Sequence, residues 1–308
     1  MPPKRSDEGP LRSRSDDGDR RASRPPLPDP LPHPVVDNHC HLDIGDGDDW
    51  LEPGEALRLA AAVGVPRIVQ IGCDLPGAAW AVEVATTYDG IVAGVALHPN
   101  EVPKLDAAGD LGDALGQIEE LAQSSDQVRA VGETGLDYYR TGSDGLDAQR
   151  RSFAAHIALA RRLDKTLVIH DRDAHDDVVA MLDEHGWPER TVLHCFSGDA
   201  DFAQACVQHG AWLSFAGTVT FKNAQNIRRA LAVTPLDKIL VETDAPFLAP
   251  TPHRGRTNAS YLVPLTVRAL AHEKRVDLED LCAAIDANTD AAFGGSWVQS
   301  PVEPRGSG

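Results

Sequence analysis

Eight short β-branched runs, each followed by a segment of helical character, predict an α/β chain closed into a TIM (β/α)8 barrel. Two further observations favour closure over an open doubly wound sheet. The runs occupy residues 35–294, close to the roughly 250 residues such barrels use. No run is followed by G-x-G-x-x-G or a Walker-type lysine loop, so a nucleotide-binding sheet loses its main support.

Residues 1–34 are dominated by Pro, Arg, Asp and Ser without apolar periodicity, and are expected to form a disordered tail. The first strand is expected at 35–37, followed by a helix at 54–63; a second strand at 67–71 leads to a helix at 76–87. Both helices begin after turn residues and set Leu or Val at helical spacings. Strands at 91–97 and 128–132 follow, then the clearest amphipathic helix, 148–163. It carries Phe153, Ile157, Ala160 and Leu163 on one face and arginines opposite. Strands at 167–169, 192–193 and 212–215 precede helices at 174–185, 199–208 and 223–232. The eighth strand, 239–242, leads to helices at 261–274 and 278–287 that close the 35–294 domain. Residues 295–308, rich in Pro, Gly and Ser, read as a second disordered tail.

Apolar residues make up 42% of the chain and charged residues 25%, the balance of a soluble globular protein. No apolar run reaches the roughly 18 residues of a membrane helix, and no signal-peptide core precedes the barrel. A cytoplasmic protein without membrane attachment or an obligate protein partner is expected. The five cysteines show no CxxC pairing and read as reduced thiols. The net charge of −18 argues against a repressor or coating protein, whose affinity would come from a basic face. The 1–34 tail, with seven Lys/Arg and six Asp/Glu, is no basic arm. An acidic enzyme can still meet DNA through bound metals and a few arginines.

Ligand-type residues gather at the strand ends. Asp37-Asn38-His39-Cys40-His41 sets two imidazoles at i and i+2, on one side of an extended strand. Alone, such a pair is as readily incidental as functional. Yet Glu133 ends the fourth strand, His170 the fifth, His194 the sixth and Asp244 the eighth. Strand C-termini converge on one face of a TIM barrel, so these six side chains should meet at its mouth.

Six ligands suit two divalent ions. His39, His41 and Asp244 are assigned to one, His170 and His194 to the other, with Glu133 bridging. The donors are compatible with Zn²⁺, Mn²⁺ or Fe²⁺, whereas Mg²⁺ prefers oxygen ligands. Such a pair activates water for in-line displacement. Asp244, a ligand able to take a proton from that water, is the expected general base, with Glu133 the other catalytic residue.

The ordered motifs Asp37-x-His39-x-His41-Leu42-Asp43, His98-Pro99, Gly132-Glu133-Thr134-Gly135-Leu136-Asp137-Tyr138-Tyr139, His170-Asp171-Arg172-Asp173-Ala174, His194-Cys195-Phe196-Ser197-Gly198, Thr220-Phe221-Lys222-Asn223-Ala224 and Glu242-Thr243-Asp244-Ala245-Pro246 resemble the TatD family of metal-dependent deoxyribonucleases. The resemblance spans about Val36 to Phe293. It implies a TIM-barrel hydrolase with 3′–5′ exodeoxyribonuclease activity on single-stranded DNA or 3′ ends, usually Mg²⁺-dependent. The family's ligands fall on His39, His41, Glu133, His170, His194 and Asp244. Its third-strand histidine falls on His98, a contact to substrate phosphate or, equally, a packing histidine before Pro99.

Two departures stand out: Ala259 replaces a carboxylate, and Ala96 a glycine. Arg172, Lys222, Arg254 and Arg256 lie just past strand ends, where they could neutralise phosphates or simply be solvated. Arg172 and Arg256 are the expected substrate contacts. Tyr138, Tyr139, Phe196 and Phe247 could stack on bases or pack loops. Cys40 and Cys195 should point into the strand–helix layer. Two other readings remain: a hydrolase of small esters or amides on the same scaffold, and a non-catalytic metal-binding or partner-binding protein.

Overall fold

The computed structural model describes residues 9–14, 24–46 and 49–297. Eight strands form one parallel sheet: β1 (Val36–Cys40), β2 (Arg67–Gly72), β3 (Ile91–Val95), β4 (Val128–Asp137), β5 (Thr166–Arg172), β6 (Thr191–Leu193), β7 (Trp212–Phe215) and β8 (Ile239–Val241). Each pairs with its neighbours in chain order. A parallel bridge between Cys40 and Ala245 joins the two edges, reinforced by Asp244 N–H donating to His39 O and His41 N–H to Ala245 O. That junction completes the expected TIM barrel, and it lies at the residues that carry His39, His41 and Asp244.

The helices are α1 (Pro53–Ala61), α2 (Leu75–Thr87), α3 (Val102–Ala108), α4 (Leu111–Gln123), α5 (Leu146–Leu163), α6 (His175–His185), α7 (Ala200–Gln208), α8 (Gln225–Val233), α9 (Val263–Lys274) and α10 (Leu278–Ala292). Side chains of Glu52, Asp74, Asp199 and Asp277 cap the N-termini of α1, α2, α7 and α10. Helices α3 and α4 fill the connection after β3, for which the sequence indicates helical character without bounds. Gly109, at φ 80°, splits the connection into two short pieces, and α4 buries only Leu111, Ala114, Ile118 and Ala122. Short length and small apolar residues leave a weak periodicity.

Two apolar layers result. Val36, Val69, Ile71, Val92, Ala130, Val168, Val192 and Leu240 cluster inside the barrel, with Phe293 and Trp297 in the same cluster. A larger cluster, including Phe153, Ile157, Leu213 and Val241, fills the space between strands and helices.

The tail expected over 1–34 is corrected for residues 9–14 and 24–34. Leu31 is buried, Tyr261 Oη donates to Pro25 O, Arg268 to Pro30 O, and residues 12–13 pair in parallel with 44–45. Ion pairs and a single buried leucine anchor these stretches, which apolar periodicity does not reveal. The C-terminal tail is likewise corrected at Trp297, which is buried with Arg67 stacked on its ring. The expectations for residues 1–8, 15–23 and 298–308 lie outside the described residues.

Candidate metal centre

Strand alternation explains most of the site. On β5, β6 and β8 the inward residues Val168, Val192 and Leu240 are followed two residues later by His170, His194 and Glu242, and Asp244 comes two further on. On β2 the inward series Val69, Ile71 continues to Cys73. Strands β1 and β4 break the rule. Val36 and Ala130 point inward, yet His39, His41 and Glu133, of opposite parity, also reach the cavity. A register shift between Asp37 and Cys40, and another between Val131 and Thr134, insert the residue that switches the face. Without these bulges the ligands would point into the helix layer. Asp244 sits at φ 55°, a left-handed conformation that aspartate tolerates better than most residues.

Glu133 lies at the centre with its two oxygens facing different partners. Oε2 is 3.3 Å from His39 Nε2 and 3.7 Å from His41 Nε2, and His41 Nε2 is also 3.3 Å from Asp244 Oδ1. Oε1 is 2.6 Å from His170 Nδ1, 2.8 Å from His194 Nε2 and 3.3 Å from His98 Nε2. The rings of His39 and His194 stack at 3.8 Å. The six side chains therefore lie together around Glu133, His39 and His41 toward Oε2, His170 and His194 toward Oε1, and Asp244 beside His41.

Hydrogen bonds on the far side of each ring set what it offers. His41 Nδ1 donates to Ile71 O at 3.1 Å, and His194 Nδ1 to Glu242 Oε1 at 3.2 Å, leaving both Nε2 atoms aimed at the cavity. His98 is the reverse. Its Nδ1 accepts from Asn100 N–H at 3.0 Å, so Nε2 carries the proton and offers a donor rather than a lone pair.

Burial pushes the Glu133 carboxyl up, but the neighbouring imidazoles of His194 and His98 and the hydrogen bonds from His170 and His194 hold it well below the usual carboxylate range. Asp244 is lowered too, its burial outweighed by His41. Burial disfavours charge on His194, yet Glu133 and Glu242 raise it well above an ordinary histidine. His170 is raised against the same burial penalty by Asp137 and Glu133. The carboxylates demand positive charge, and imidazolium protons supply it.

This donor set fits divalent cations. His39 Nε2 and His41 Nε2 lie 3.3 Å apart, and His39 Nδ1 is buried without a partner. Two ring nitrogens this close to each other and to the Glu133 carboxylate form a group that a divalent cation could join.

The surrounding cavity, about 710 Å³, is lined by His98, Lys104, Arg140, Arg172 and Ser197 among others. Arg172 stacks 3.9 Å over Tyr139, which is 65% exposed at the rim. Arg256 is not part of the cavity wall among the described residues; it lies in the turn after β8 and donates its N–H to His253 O. Lys222 is absent from the wall as well, and Arg254 stacks on Phe221. Cys40 lies in the strand–helix layer as expected, with Sγ toward Val69 O, whereas Cys195, at φ 42°, lines the cavity. Its left-handed backbone breaks the alternation on which the opposite expectation rested.

Three side chains escaped the sequence reading. Glu242 accepts from His194 Nδ1 and from Cys195 N–H at 2.8 Å. Asp137 Oδ2 accepts from His170 Nε2 at 3.3 Å and Asn100 Nδ2 at 3.0 Å. Cys73 Sγ lies 3.5 Å from Glu133 Oε2. Glu242 and Asp244 share the i, i+2 spacing of His39 and His41, a signal that could have found the first.

The family described as TatD related DNase matches residues 36–294. A Mycobacterium tuberculosis protein named an uncharacterized metal-dependent hydrolase, TatD, is 40% identical over 269 residues, 86% of this chain and 100% of its own. The Bacillus subtilis metal-dependent hydrolase YabD is 37% identical, covering 84% of this chain and 98% of its own. Among solved structures, the TatD homolog YJJV from Escherichia coli superposes with a TM-score of 0.77 at 28% identity, over 85% of this chain and 98% of its own.

Proposed function

The chain belongs to the TatD related DNase family of metal-dependent hydrolases, and from that premise we propose that it cleaves phosphodiester bonds in DNA, acting 3′ to 5′ on single strands or 3′ ends. The observation that carries the proposal is the two-faced placement of Glu133 beneath a cavity whose wall includes Lys104, Arg140 and Arg172. His39, His41 and Asp244 would hold one divalent ion with Glu133 Oε2, and His170 and His194 a second with Oε1. Mg²⁺, Mn²⁺ and Zn²⁺ are the candidates. Bound there, the ions would acidify a water and screen the charge that develops on the phosphoryl oxygens.

The chain's own groups supply the rest. Asp244 takes the proton of the attacking water. Glu242 and the Ile71 carbonyl fix the tautomers of His194 and His41, so their lone pairs stay aimed inward. His98 donates Nε2–H to a phosphate oxygen, the role its tautomer suits. Arg172, steadied on Tyr139, neutralises a flanking phosphate. Arg256 lies off the wall and is not needed. We place the reaction in the cytoplasm; the five cysteines are free, and no helix among the described residues is long and apolar enough to cross a membrane.

The test is to strip the protein, reload it with Mg²⁺, Mn²⁺ or Zn²⁺, and follow 3′- and 5′-labelled single-stranded DNA beside Asp244→Asn. Stepwise loss from the 3′ end that vanishes in the variant is the expected result. Metal uptake without cleavage under any ion would overturn the nuclease reading. The net charge of −18 favours a second reading, hydrolysis of a small ester or amide. Excess oligonucleotide would then fail to inhibit turnover of a small chromogenic ester.

A further inference from the structure

Residues 9–14 run beside the barrel mouth as a short strap. Residues 12–13 pair with 44–45, just beyond His41, and Leu11 and Arg12 donate backbone N–H groups to Asp43 O. The Arg12 guanidinium reaches the buried Asp43 carboxylate at 2.6 Å and Asp74 at 3.5 Å, and lines the metal cavity. Arg14 faces Asp46 at 3.7 Å, donates to Pro246 O at 3.1 Å and stacks 4.8 Å from the centre of Phe247, another cavity residue. Arg24 pairs with Asp49 and donates to Asn258 O. Every described arginine ahead of residue 35 thus faces an aspartate of the loops after β1 and β2, and two of the three also touch the loop after β8. The three arginines lie ahead of the matched family region, which opens at residue 36, while their partners lie within it.

The consequence is electrostatic. Asp43, Asp46, Asp49 and Asp74 would together repel a polyanion from this side of the mouth, in a chain already at −18. Three guanidiniums reduce those four charges to one. We propose that the strap, with Arg24, is a charge-compensating wall of the active-site mouth that lets an acidic protein admit a nucleic-acid strand. Arg12, Arg14 and Arg24 are then specificity-determining residues that favour polyanionic substrates. This rests on the phosphodiesterase reading above.

The test is fluorescence anisotropy of a labelled twelve-residue oligothymidylate with full-length protein carrying Asp244→Asn and loaded with Mn²⁺. Binding is compared with and without Arg12→Gln/Arg14→Gln/Arg24→Gln, at two ionic strengths. Three charges about 10 Å from a phosphate predict weakening of about fivefold at 0.01 M and about twofold at 0.15 M. The corresponding triple lysine variant should bind within about twofold of the parent, because charge is retained.

Unchanged affinity in the glutamine triple overturns the proposal. Tighter binding also overturns it and makes the strap a cover. A lysine triple as weak as the glutamine triple assigns the effect to guanidinium geometry, which sinks the electrostatic role. Thermal melting checks the fold. Should the triple fail to fold, Arg14→Gln/Arg24→Gln, at positions off the cavity wall, carries the same comparison with a shift of about threefold at low salt. A parent that binds no oligonucleotide at either ionic strength overturns the nucleic-acid reading itself, before any strap variant is compared.

Discussion

Acidification should destabilise the barrel through one buried histidine outside the metal cavity. His156, on α5, is fully buried; its Nδ1 donates to Ser152 O at 2.7 Å and its Nε2 accepts from Leu97 N–H at 3.3 Å. The neutral ring satisfies both contacts, and desolvation pushes its pKa down to about 4 against an upward pull from Ser152. In the unfolded chain a histidine titrates near 6.5. Between those values the unfolded state binds a proton that the native state refuses, so stability falls as pH drops below about 6.5 and the loss is complete near 4. The full window corresponds to about 3 kcal/mol, of which roughly 2 kcal/mol is gone by pH 5. Protonation also breaks the bond to Leu97, which holds the segment carrying His98. Urea unfolding at pH 7.5 and pH 5 would compare the wild type with His156→Gln, whose amide oxygen can accept from Leu97 but cannot titrate. The wild type should lose about 2 kcal/mol more than the variant over that range. Equal losses would refute the assignment of acid sensitivity to this ring.

Other substitutions probe the cavity directly. Glu242→Gln keeps volume but removes the charge behind His194, and should weaken divalent-metal binding about 10- to 100-fold in a chelator competition titration. Asp244→Asn should lower turnover by about 10²–10⁴ if the carboxylate takes the proton; a loss under tenfold would exclude that role. In Gly135→Ala, a Cβ would collide with His170 O at a φ of 143°, so the end of β5 must move. A fall in stability above about 2 kcal/mol on thermal melting, together with lost metal uptake, is expected. Chelation should lower the melting temperature of loaded protein, since an ion at 100 times its Kd contributes about 2.7 kcal/mol; an unchanged melting temperature would argue against tight ions.

Much of the site was legible because it rests on local rules. Continuous Val/Ile/Leu runs marked the strands, and the mouth of a parallel barrel is the one place where their C-terminal ends meet. Six residues at five strand ends could therefore be placed together before any distance was known. The rest depended on contacts between distant segments. Glu242 reaches His194 from the loop after β8, 48 positions away, and nothing in either local sequence pairs them. Cys73 faces Glu133 across 60 positions. The strap's arginines looked like tail composition because their partners, Asp43, Asp46, Asp49 and Asp74, belong to the barrel loops.

By itself, the sequence determined the period of its elements, hence a parallel barrel, and the chemical types of its strand-end residues, hence a cluster able to take metals. Tertiary structure alone decided how those side chains are aimed. The bulges in β1 and β4 turn His39, His41 and Glu133 inward against the parity of Val36 and Ala130. Alternation is a local property of the backbone. A bulge answers to the neighbouring strand's register, and tautomers and arginine partners answer to whatever group the closed barrel brings within reach.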